Sequence, residues 1–387
     1  MKVDVAIAGG GLVGAALGCA LQGLKVAVID GKTPADAPVA AAGFDSRIYA
    51  VSPGNARFLG EIGAWDRMPQ GTATPVHAMS VVGDDGSSRV GFDAWDTGVP
   101  ELAWIVEERQ LQAALYAELA TRRDVALLAP VRCIGIDFAP GSVALELEGG
   151  TRIDAKLLVG ADGAQSFVRS QAGIEVRDRA YGQAAVVANF ACERPHANVA
   201  RQWFRGGPVL ALLPLPGRHV SMVWSTGDEE ARRIAALDAP ALCAEVAQAS
   251  GNALGALSSV TPSRVFPLRR LAAARLVCDR VALAGDAAHV VHPLAGQGVN
   301  LGFQDAKVLA GVLVARVPGC DPGDLALLRR YERARAEAIL AMDATVHGLF
   351  GLFGAGSPLA RRVRNAGLKL VDRADVLKNL LIRHAMQ

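Results

Sequence analysis

The sequence has no excess of charge of either sign. Its 387 residues include 40 Lys or Arg and 38 Asp or Glu, a formal net charge of +2. A dedicated nucleic-acid binder presents a broad basic surface, so this balance argues against that class and leaves only local patches. Aromatic residues are also sparse, at 5%, whereas hydrophobic residues make up 51%. The composition is that of a globular protein, and the length suggests about two domains.

Cysteine is scarce and dispersed. The six residues are Cys19, Cys133, Cys192, Cys243, Cys278 and Cys320. Such spacing fits neither a zinc knuckle nor a compact disulfide framework, and reduced thiols in a cytoplasmic protein are expected. His289 and His292 are three positions apart, but two histidines without a third ligand make a poor metal site. We therefore predict no metal centre.

A charge-free stretch at residues 5–24 is about as long as a membrane span or a signal peptide. Three consecutive glycines interrupt it, a β-branched segment precedes them and an Ala-rich segment follows. This order of segments predicts a strand, a turn and a helix, so we expect neither a signal peptide nor a transmembrane helix.

The same stretch contains a nucleotide-binding pattern. Residues 3–8 are typical of a strand buried on both faces, residues 9–14 match G-x-G-x-x-G, and residues 15–24 predict a helix. Residues 26–29 predict the next strand, which ends in Asp30, the spacing at which an acid reaches a ribose hydroxyl. The glycine pattern alone is weak, but the order of elements around it indicates a nucleotide site.

Two later segments combine a predicted buried strand with an aspartate and glycines. The first is residues 157–160, followed by Asp162 and Gly163. The second is residues 281–284, followed by Asp286 and the Gly296-Gln297-Gly298 sequence, whose small residues let backbone N–H groups approach a flat or anionic ligand. We predict that these segments and the N-terminal pattern fold onto one long cofactor, FAD.

The three motifs, in this order, resemble those of the single-component FAD-dependent aromatic hydroxylases, the class of p-hydroxybenzoate hydroxylase. Residues 45–54, DSRIYAVSPG, and 289–300, HVVHPLAGQGVN, are similar to the ubiquinone-biosynthesis branch of that class. The resemblance covers nearly the whole chain. It implies FAD as cofactor, with NADPH or NADH as co-substrate; a second dinucleotide pattern is missing, which suggests transient docking of that co-substrate.

The resemblance also implies which residues bind the cofactor. They are Gly9, Gly11, Leu12, Val13, Gly14, Asp30, Arg47, Arg109, Asp162, Asp286, Gly296, Gly298, Val299 and Asn300. The first motif would cradle the pyrophosphate, and Asp30, where relatives more often have Glu, would hold the adenosine ribose. Arg109 would meet the ribose or phosphate side, and Asp286 the ribityl region.

For catalysis, the resemblance implies a flavin C4a-hydroperoxide that is attacked by an electron-rich phenol ring. The residues expected at that reaction are Arg47, Pro293, Gly296, Gln297 and Gly298. Backbone N–H groups beside the flavin would stabilise its reduced anion, and a dry pocket would keep the hydroperoxide from releasing peroxide. The strands at residues 209–215 and 222–224 are candidate pocket walls.

Some of these residues have alternative interpretations. Arg47 follows Asp45 closely, and such an arginine is often part of a surface ion pair. Arg109 begins a predicted helix, where it either reaches a phosphate or is solvated. Asp162 either supports a ligand or closes an Asx turn.

The predicted fold class is α/β (α+β): a Rossmann-like FAD-binding domain with a parallel sheet and a β-meander, an inserted antiparallel substrate domain, and C-terminal helices. The predicted boundaries are 1–71, 101–180 and 269–352 for the FAD-binding domain, 72–100 and 181–268 for the substrate domain, and 353–387 for a C-terminal tail.

From residue 357 onward the tail predicts a basic amphipathic helix, which either contacts an anionic membrane or partner or packs on its own domain. We expect a cytoplasmic protein, with peripheral contact to the inner face of the membrane if the tail binds lipid.

The predicted function is hydroxylation of an aromatic ring, on a polyprenyl phenol in ubiquinone biosynthesis. The alternatives are a hydroxylase of a soluble phenol or polyketide and a non-catalytic flavin-binding assembly subunit.

Overall fold

Helices and strands alternate at the start of the chain, and antiparallel strands dominate its middle. The computed structural model describes residues 1–33, 43–85, 88–291 and 298–354. The helices of these segments are α1 (Leu12–Ala20), α2 (Pro53–Glu61), α3 (Glu108–Thr121), α4 (Phe167–Gln171), α5 (Asp228–Ala235), α6 (Ala239–Ala249), α7 (Gly298–Val314) and α8 (Leu325–Gly354). The strands are β1 (Lys2–Ala8), β2 (Val26–Ile29), β3 (Ile48–Val51), β4 (Thr74–Val76), β5 (Ala78–Val82), β6 (Arg89–Asp93), β7 (Ala103–Glu107), β8 (Val125–Leu128), β9 (Cys133–Ala139), β10 (Ser142–Leu147), β11 (Arg152–Gly160), β12 (Val176–Cys192), β13 (Val199–Phe204), β14 (Val209–Leu215), β15 (His219–Gly227), β16 (Leu257–Ser259), β17 (Arg264–Ala273), β18 (Val277–Cys278), β19 (Val281–Leu283) and β20 (His289–Val290).

An eight-stranded sheet organises the first and last parts of the chain. Its main strand order is β18-β19-β11-β1-β2-β8, and the strands from β19 to β8 pair in parallel. Strands β9, β10 and β11 form an antiparallel meander at its side. The side chains of Val5, Ile7 and Val28 are fully buried, as expected for parallel strands covered on both faces.

A nine-stranded sheet occupies the middle of the chain. Its main order is β20-β17-β12-β15-β14-β13-β5-β6, antiparallel except between β13 and β5. Strand β12 is 17 residues long and pairs with both β15 and β17. The predicted domain boundaries at 180/181 and 268/269 fall inside β12 and β17, beside an irregularity in their pairing between Ala180 and Gln183.

A small sheet, β3-β7-β4, lies between the larger two. Its buried side chains Val76 and Ile105 form a cluster with Ala200 and Leu215 of the nine-stranded sheet. A separate core buries the other face of the nine-stranded sheet, where Phe190 and Met222 pack with Ile234 of α5. The small sheet therefore covers one face of the nine-stranded sheet, and the short helices cover its other face.

The predicted α/β (α+β) class, with parallel and antiparallel sheets and a meander, is confirmed. The described helices include none that is long and apolar enough to cross a membrane. Within the same residues no group of three or more His, Cys, Asp or Glu side chains is arranged to hold a metal ion. The tail from residue 357 onward lies outside the described residues.

Candidate active site

Four loops meet at one edge of the eight-stranded sheet. Strands β2, β1, β11 and β19 pair in parallel, so their carboxyl ends face the same way. Asp30, Gly9, Ala161 and Ala284 are the residues that directly follow these four strands. Ligands of open α/β sheets bind at the carboxyl ends of the strands, so all three sequence motifs converge where a ligand is expected.

The glycine turn between β1 and α1 has three structurally different glycines. Gly9 has φ +101°, and a Cβ there would overlap the carbonyl oxygen of Ala161. A Cβ at Gly14 would overlap the carbonyl oxygen of Gly9. At Gly11, by contrast, a Cβ would meet nothing within 4 Å. The first and third glycines are needed for packing, whereas the second leaves open space at the N-terminus of α1, where backbone N–H groups favour an anion.

Asp30 holds this turn in place. Its Oδ2 accepts a hydrogen bond from the backbone N–H of Gly10 at 2.7 Å, and its Oδ1 accepts one from Lys32 N–H at 2.8 Å. Its side chain is only partly buried. Burial and the Asp30 carboxylate raise the pKa of the neighbouring Tyr116 to about 12. Asp30 thus orients the turn while keeping part of its carboxylate open to a ligand.

The two carboxylate oxygens of Asp162 differ in their partners, and the expected alternative of an Asx turn is wrong because the bonded N–H is six residues later rather than two. Its Oδ2 accepts a hydrogen bond from Val168 N–H at 3.0 Å, at the start of α4. Its Oδ1 is buried and has no hydrogen-bond partner in the protein. One oxygen therefore closes the loop and the other remains available. Buried polar atoms are rarely left unpaired, so the free oxygen indicates a missing ligand or water.

The Asp286 turn packs directly on the glycine turn. Gly285 has φ +62°, and Gly302 of α7 is so close to Val13 that a Cβ would lie 2.5 Å from Val13 Cγ2. Val13 thus packs between the first and third motifs. Asp286 itself is exposed, yet surrounding protein desolvates it and raises the pKa of its carboxyl despite the nearby His289 and Arg47. An accessible but poorly solvated carboxylate is typical of a cleft wall.

We call the edge of the eight-stranded sheet where the four loops meet the cofactor edge. Arg47 lies between this edge and the nine-stranded sheet. Its Nη1 forms an ion pair with Glu108 at 3.2 Å, and its guanidinium lies 5.9 Å from the ring centre of Phe266 on β17. The partner is Glu108 rather than the adjacent Asp45, which instead accepts from Arg47 N–H at 3.0 Å. Its side chain remains 56% exposed, so the guanidinium retains an open face.

Arg109 is anchored by its own loop. Its Nη2 forms an ion pair with Glu107 at 3.1 Å and donates to the carbonyl oxygen of Gly43. Its backbone N–H contacts Asp45 Oδ2 at 3.3 Å, and Glu107 accepts from Asp45 N–H at 2.7 Å. The buried Nε has no partner in the protein. The guanidinium is partly exposed and its buried Nε has no partner, which fits a partly built anion site.

The third motif is only partly described. Pro293, Gly296 and Gln297 lie outside the described residues. Gly298 begins α7, and Val299 packs against the main core. The Asn300 side chain is used inside the protein: its Oδ1 accepts from Ser52 N–H at 2.9 Å and its Nδ2 donates to Ala50 O at 2.8 Å. Asn300 therefore ties α7 to β3 and α2, and its side-chain amide supports the site from behind.

The nine-stranded sheet presents one face to this edge. Residues on a strand alternate between faces, and Phe266 is paired with Ala185, opposite to the face packed on α5. Asn189 lies on the Ala185 face and donates from Nδ2 to Asp45 O at 2.8 Å. Among the residues predicted as pocket walls, the expectation is wrong for four, whose side chains lie in the core with the short helices: Leu210, Leu212, Met222 and Trp224.

Several supporting residues escaped the sequence analysis because their partners are far away in the chain. Arg169 donates to Ala164 O and to Ala287 O, both at 2.8 Å, and so joins the second and third motifs. Asp305 lies within α7 among apolar positions, and Arg335 lies on α8. The one available signal was a charged residue in the apolar stripe of each helix.

Comparison with known proteins identifies the cofactor of this site. A family model described as an FAD binding domain matches residues 2–344. The chain belongs to this FAD-binding family. The open space at Gly11, the unpaired oxygen of Asp162 and the unpaired Nε of Arg109 fit this cofactor, which presents phosphates and ribose hydroxyls.

Two relatives that match nearly the whole chain are named as hydroxylases. The chain is 39% identical over 386 residues to ubiquinone hydroxylase UbiL of Rhodospirillum rubrum, covering 99% of this chain and 89% of that protein. It is 36% identical to 3-demethoxyubiquinol 3-hydroxylase of Escherichia coli, covering 99% and 98%. Among solved structures, PqsL of Pseudomonas aeruginosa, a probable FAD-dependent monooxygenase, matches with a TM-score of 0.80 at 24% identity, covering 95% and 100%. This last likeness concerns the fold.

Proposed function

We propose that this FAD-dependent monooxygenase hydroxylates a ring carbon of a polyprenyl phenol in ubiquinone biosynthesis, with NADPH or NADH as reductant. The FAD-binding family and the two hydroxylase relatives support the class of reaction. Their names, which refer to ubiquinone and demethoxyubiquinol, support the class of substrate.

One observation carries the assignment of the reacting centre. The cofactor edge and the apolar sheet face meet at the Asp45–Arg47 segment, through Asn189 Nδ2 and Asp45 O on one side and the Arg47 guanidinium and Phe266 on the other. An aromatic substrate on that face would lie beside the cofactor edge, next to the Phe266 ring and the Arg47 guanidinium. We therefore place the substrate ring there.

When bound, FAD supplies oxygen activation, and the chain supplies positioning and polarity. The turn at Gly11 and the N-terminus of α1 would bind phosphate through backbone N–H groups. Asp30 and Asp286 would accept hydrogen bonds from hydroxyls of the cofactor. The N-terminus of α7 at Gly298 carries the positive end of a 17-residue helix and would stabilise negative charge beside it.

The direct test is the reaction itself. Purified protein with FAD, NADPH or NADH, oxygen and a short-chain prenyl phenol should oxidise the nicotinamide only when the phenol is present, and the product should gain one oxygen atom. Identifying the intermediate that accumulates in a deletion strain would then name the ring position. Substrate-independent oxidation with no oxygenated product would overturn the proposal.

Cofactor placement can be tested separately with Gly11→Trp. Because a Cβ at Gly11 meets nothing within 4 Å, the apoprotein should still fold while the indole fills the space assigned to the phosphates. FAD content should therefore be lost. Gly311→Trp is the matched control, since Gly311 is exposed on α7 and its Cβ also meets nothing within 4 Å. Full flavin content in Gly11→Trp would contradict the assignment.

The alternatives give different results in the same assays. A hydroxylase of a soluble phenol or polyketide would turn over a phenol without a prenyl chain and show no preference for the prenylated one. A non-catalytic flavin-binding subunit would hold FAD but show no substrate-stimulated oxidation. Preference for the prenylated phenol distinguishes our proposal from both.

We also propose the division into an FAD-binding domain (1–71, 101–180, 269–352) and a substrate domain (72–100, 181–268). The pairing of β5 with β13 supports it, because it brings residues of the 72–100 segment into the nine-stranded sheet.

For the tail at 357–387 we propose contact with a membrane surface. Vesicles of anionic lipid should co-sediment with the full chain, and deletion of 357–387 should abolish this.

A further inference from the structure

A buried ion network lies behind the Asp286 turn. Asp305 of α7 is 0% exposed; its Oδ2 accepts from His289 Nε2 at 2.7 Å and its Oδ1 from Arg335 Nε at 2.6 Å. The His289 and Arg335 side chains are 4% and 3% exposed. The network joins β20, α7 and α8, and its members were not among the predicted cofactor-binding or catalytic residues.

The network also reaches the turn directly. Asp305 Oδ2 accepts a second hydrogen bond from Gly285 N–H at 2.9 Å, and the next residue is Asp286. His289 follows three residues later, so Asp305 holds the turn at both ends. The turn between them can move only if a buried carboxylate loses a partner.

Arg335 fixes Asp305 from the other side. Its Nη2 donates to Leu301 O at 3.2 Å and its Nη1 to Gln304 Oε1 at 3.1 Å, so the guanidinium is anchored to α7 as well as to the carboxylate. Four residues earlier on α8, the Tyr331 hydroxyl donates to Leu283 O at 2.8 Å. The same face of α8 thus contacts the end of β19 and the helix that follows the turn.

The charges of the network support one arrangement. Burial alone would raise the pKa of Asp305, but the His289 and Arg335 side chains outweigh it and lower that pKa. Burial and Arg335 lower the pKa of His289, whereas the carboxylates of Asp305 and Asp286 raise it, and the net direction is upward. A buried carboxylate left without one of its cations is strongly unfavourable, so each of the three side chains stabilises the positions of the other two.

We infer that His289, Asp305 and Arg335 are positioning residues for FAD, which fix the turn at residues 285–289 so that Asp286 faces the cofactor cleft. The C-terminal helix α8 then takes part in cofactor binding without a residue in the cleft. This inference rests on FAD binding and is independent of the substrate.

Two substitutions of His289 separate positioning from packing. A Gln amide nitrogen can occupy the place of His Nε2 and donate to Asp305, whereas the shorter Asn amide corresponds to Nδ1 and does not reach it. We expect His289→Asn to weaken FAD binding about 10- to 100-fold, by comparison with the loss seen when hydrogen-bond partners that orient metal ligands are removed. His289→Gln should bind within about 3-fold of the unmodified protein, since it keeps that donor.

The measurements are FAD titration of the apoprotein by flavin fluorescence and thermal unfolding of the same apoprotein. Glu332→Ala is a control on the same helix, because Glu332 accepts from Leu276 N–H at 2.8 Å, away from the turn. It should lower the unfolding temperature and leave FAD affinity unchanged. Equal FAD affinity in His289→Asn and His289→Gln would overturn the inference.

Arg335→Lys gives a second, independent test if His289→Asn does not fold. Lysine keeps the charge beside Asp305 but lacks the fork that reaches Leu301 O and Gln304 Oε1. We expect folded apoprotein with FAD affinity lowered about 10-fold, again as for orienting partners. The visible circular dichroism of bound flavin should also change, because the turn against it shifts. Affinity and spectrum equal to those of the unmodified protein would contradict the inference.

Discussion

Gly9 and Ala161 approach so closely that no side chain fits between them: a Cβ at Gly9 would overlap the Ala161 carbonyl oxygen. The two residues follow adjacent parallel strands, and Ala161 N–H donates to Ala8 O at 2.8 Å. The first and second sequence motifs are therefore one packed unit, and a change in one turn displaces the other.

Substituting the first and second glycines of the turn should give different results. Gly9→Ala combines the overlap with a positive φ, so it should destabilise the apoprotein by more than the roughly 1–3 kcal/mol of a strained residue. Gly11→Ala meets no neighbour and should cost at most about 1 kcal/mol, because Ala caps a helix less well than Gly. Urea unfolding of both apoproteins measures this. Similar losses in the two variants would show that the close approach has no energetic consequence.

Arg169 should matter for stability because it joins the second and third motifs. Its hydrogen bond to Ala287 O is buried and the one to Ala164 O is partly buried, and Arg169→Met keeps the apolar part of the side chain but removes both. We expect a loss of roughly 2–4 kcal/mol, from hydrogen bonds of a charged group at about 1.5–3 kcal/mol each and some relaxation. Denaturant unfolding is the measurement. Arg177→Met, on an exposed part of β12, is the control and should change little.

The ionised carboxylate of Glu108 should destabilise the folded apoprotein at neutral pH. Burial raises the pKa of its carboxyl above the ordinary 4.5, and the Arg47 guanidinium offsets only part of this. Such a group stabilises the fold below its unfolded pKa, and that contribution is lost as pH rises through the folded value. Glu108→Gln should therefore raise the unfolding temperature near neutral pH, and the gain should disappear below pH 4.5.

Asp124 should behave in the opposite way and provides the control. Its hydrogen bond from Arg122 lowers the pKa of the carboxyl below the ordinary 3.8, so its contribution is present above that value and lost in acid. Asp124→Asn should lower the unfolding temperature near neutral pH and have no effect in strong acid. A parallel pH profile for the two variants would contradict the assigned electrostatics.

Asn189→Leu should separate substrate binding from cofactor binding. The change removes the hydrogen bond to Asp45 O, at a cost of about 1–3 kcal/mol for the unpaired carbonyl, but it also removes the buried unpaired Oδ1 of Asn189. The two effects nearly cancel in global stability. The Asp45–Arg47 segment nevertheless loses its link to the sheet, so KM for the aromatic substrate should rise while FAD affinity stays unchanged. A fall in FAD affinity would place Asn189 in the cofactor site.

The sequence was most informative where function depends on local spacing. The strand, glycine turn, helix and strand around residues 3–30 follow from hydrophobic pattern and glycine positions, although α1 starts at Leu12 rather than at residue 15. Asp30 could be identified because it directly follows a buried strand, and Asp286 because it comes three residues after one. These features require no knowledge of the rest of the chain.

Long-range partners could not be predicted in this way. The ion pair of Arg47 is with Glu108, 61 positions later, and no local pattern distinguishes it from a pair with Asp45. The start of β12 is exposed and rich in charge, which is typical of a loop; its strand structure comes from pairing with β17 almost a hundred residues away. Asp305 in a helical apolar stripe has meaning only once His289 and Arg335 surround it.

The order in which the chain is synthesised bears on when the cofactor can be captured. The glycine turn is complete within the first 14 residues, but Arg335, which anchors Asp305, is made when most of the 387 residues already exist. Contacts between such distant segments form late in folding, because closing long loops costs entropy before the contacts form. The glycine turn can therefore reach its fully supported form only after the segment that contains Arg335 has been synthesised, so stable flavin capture comes late in folding.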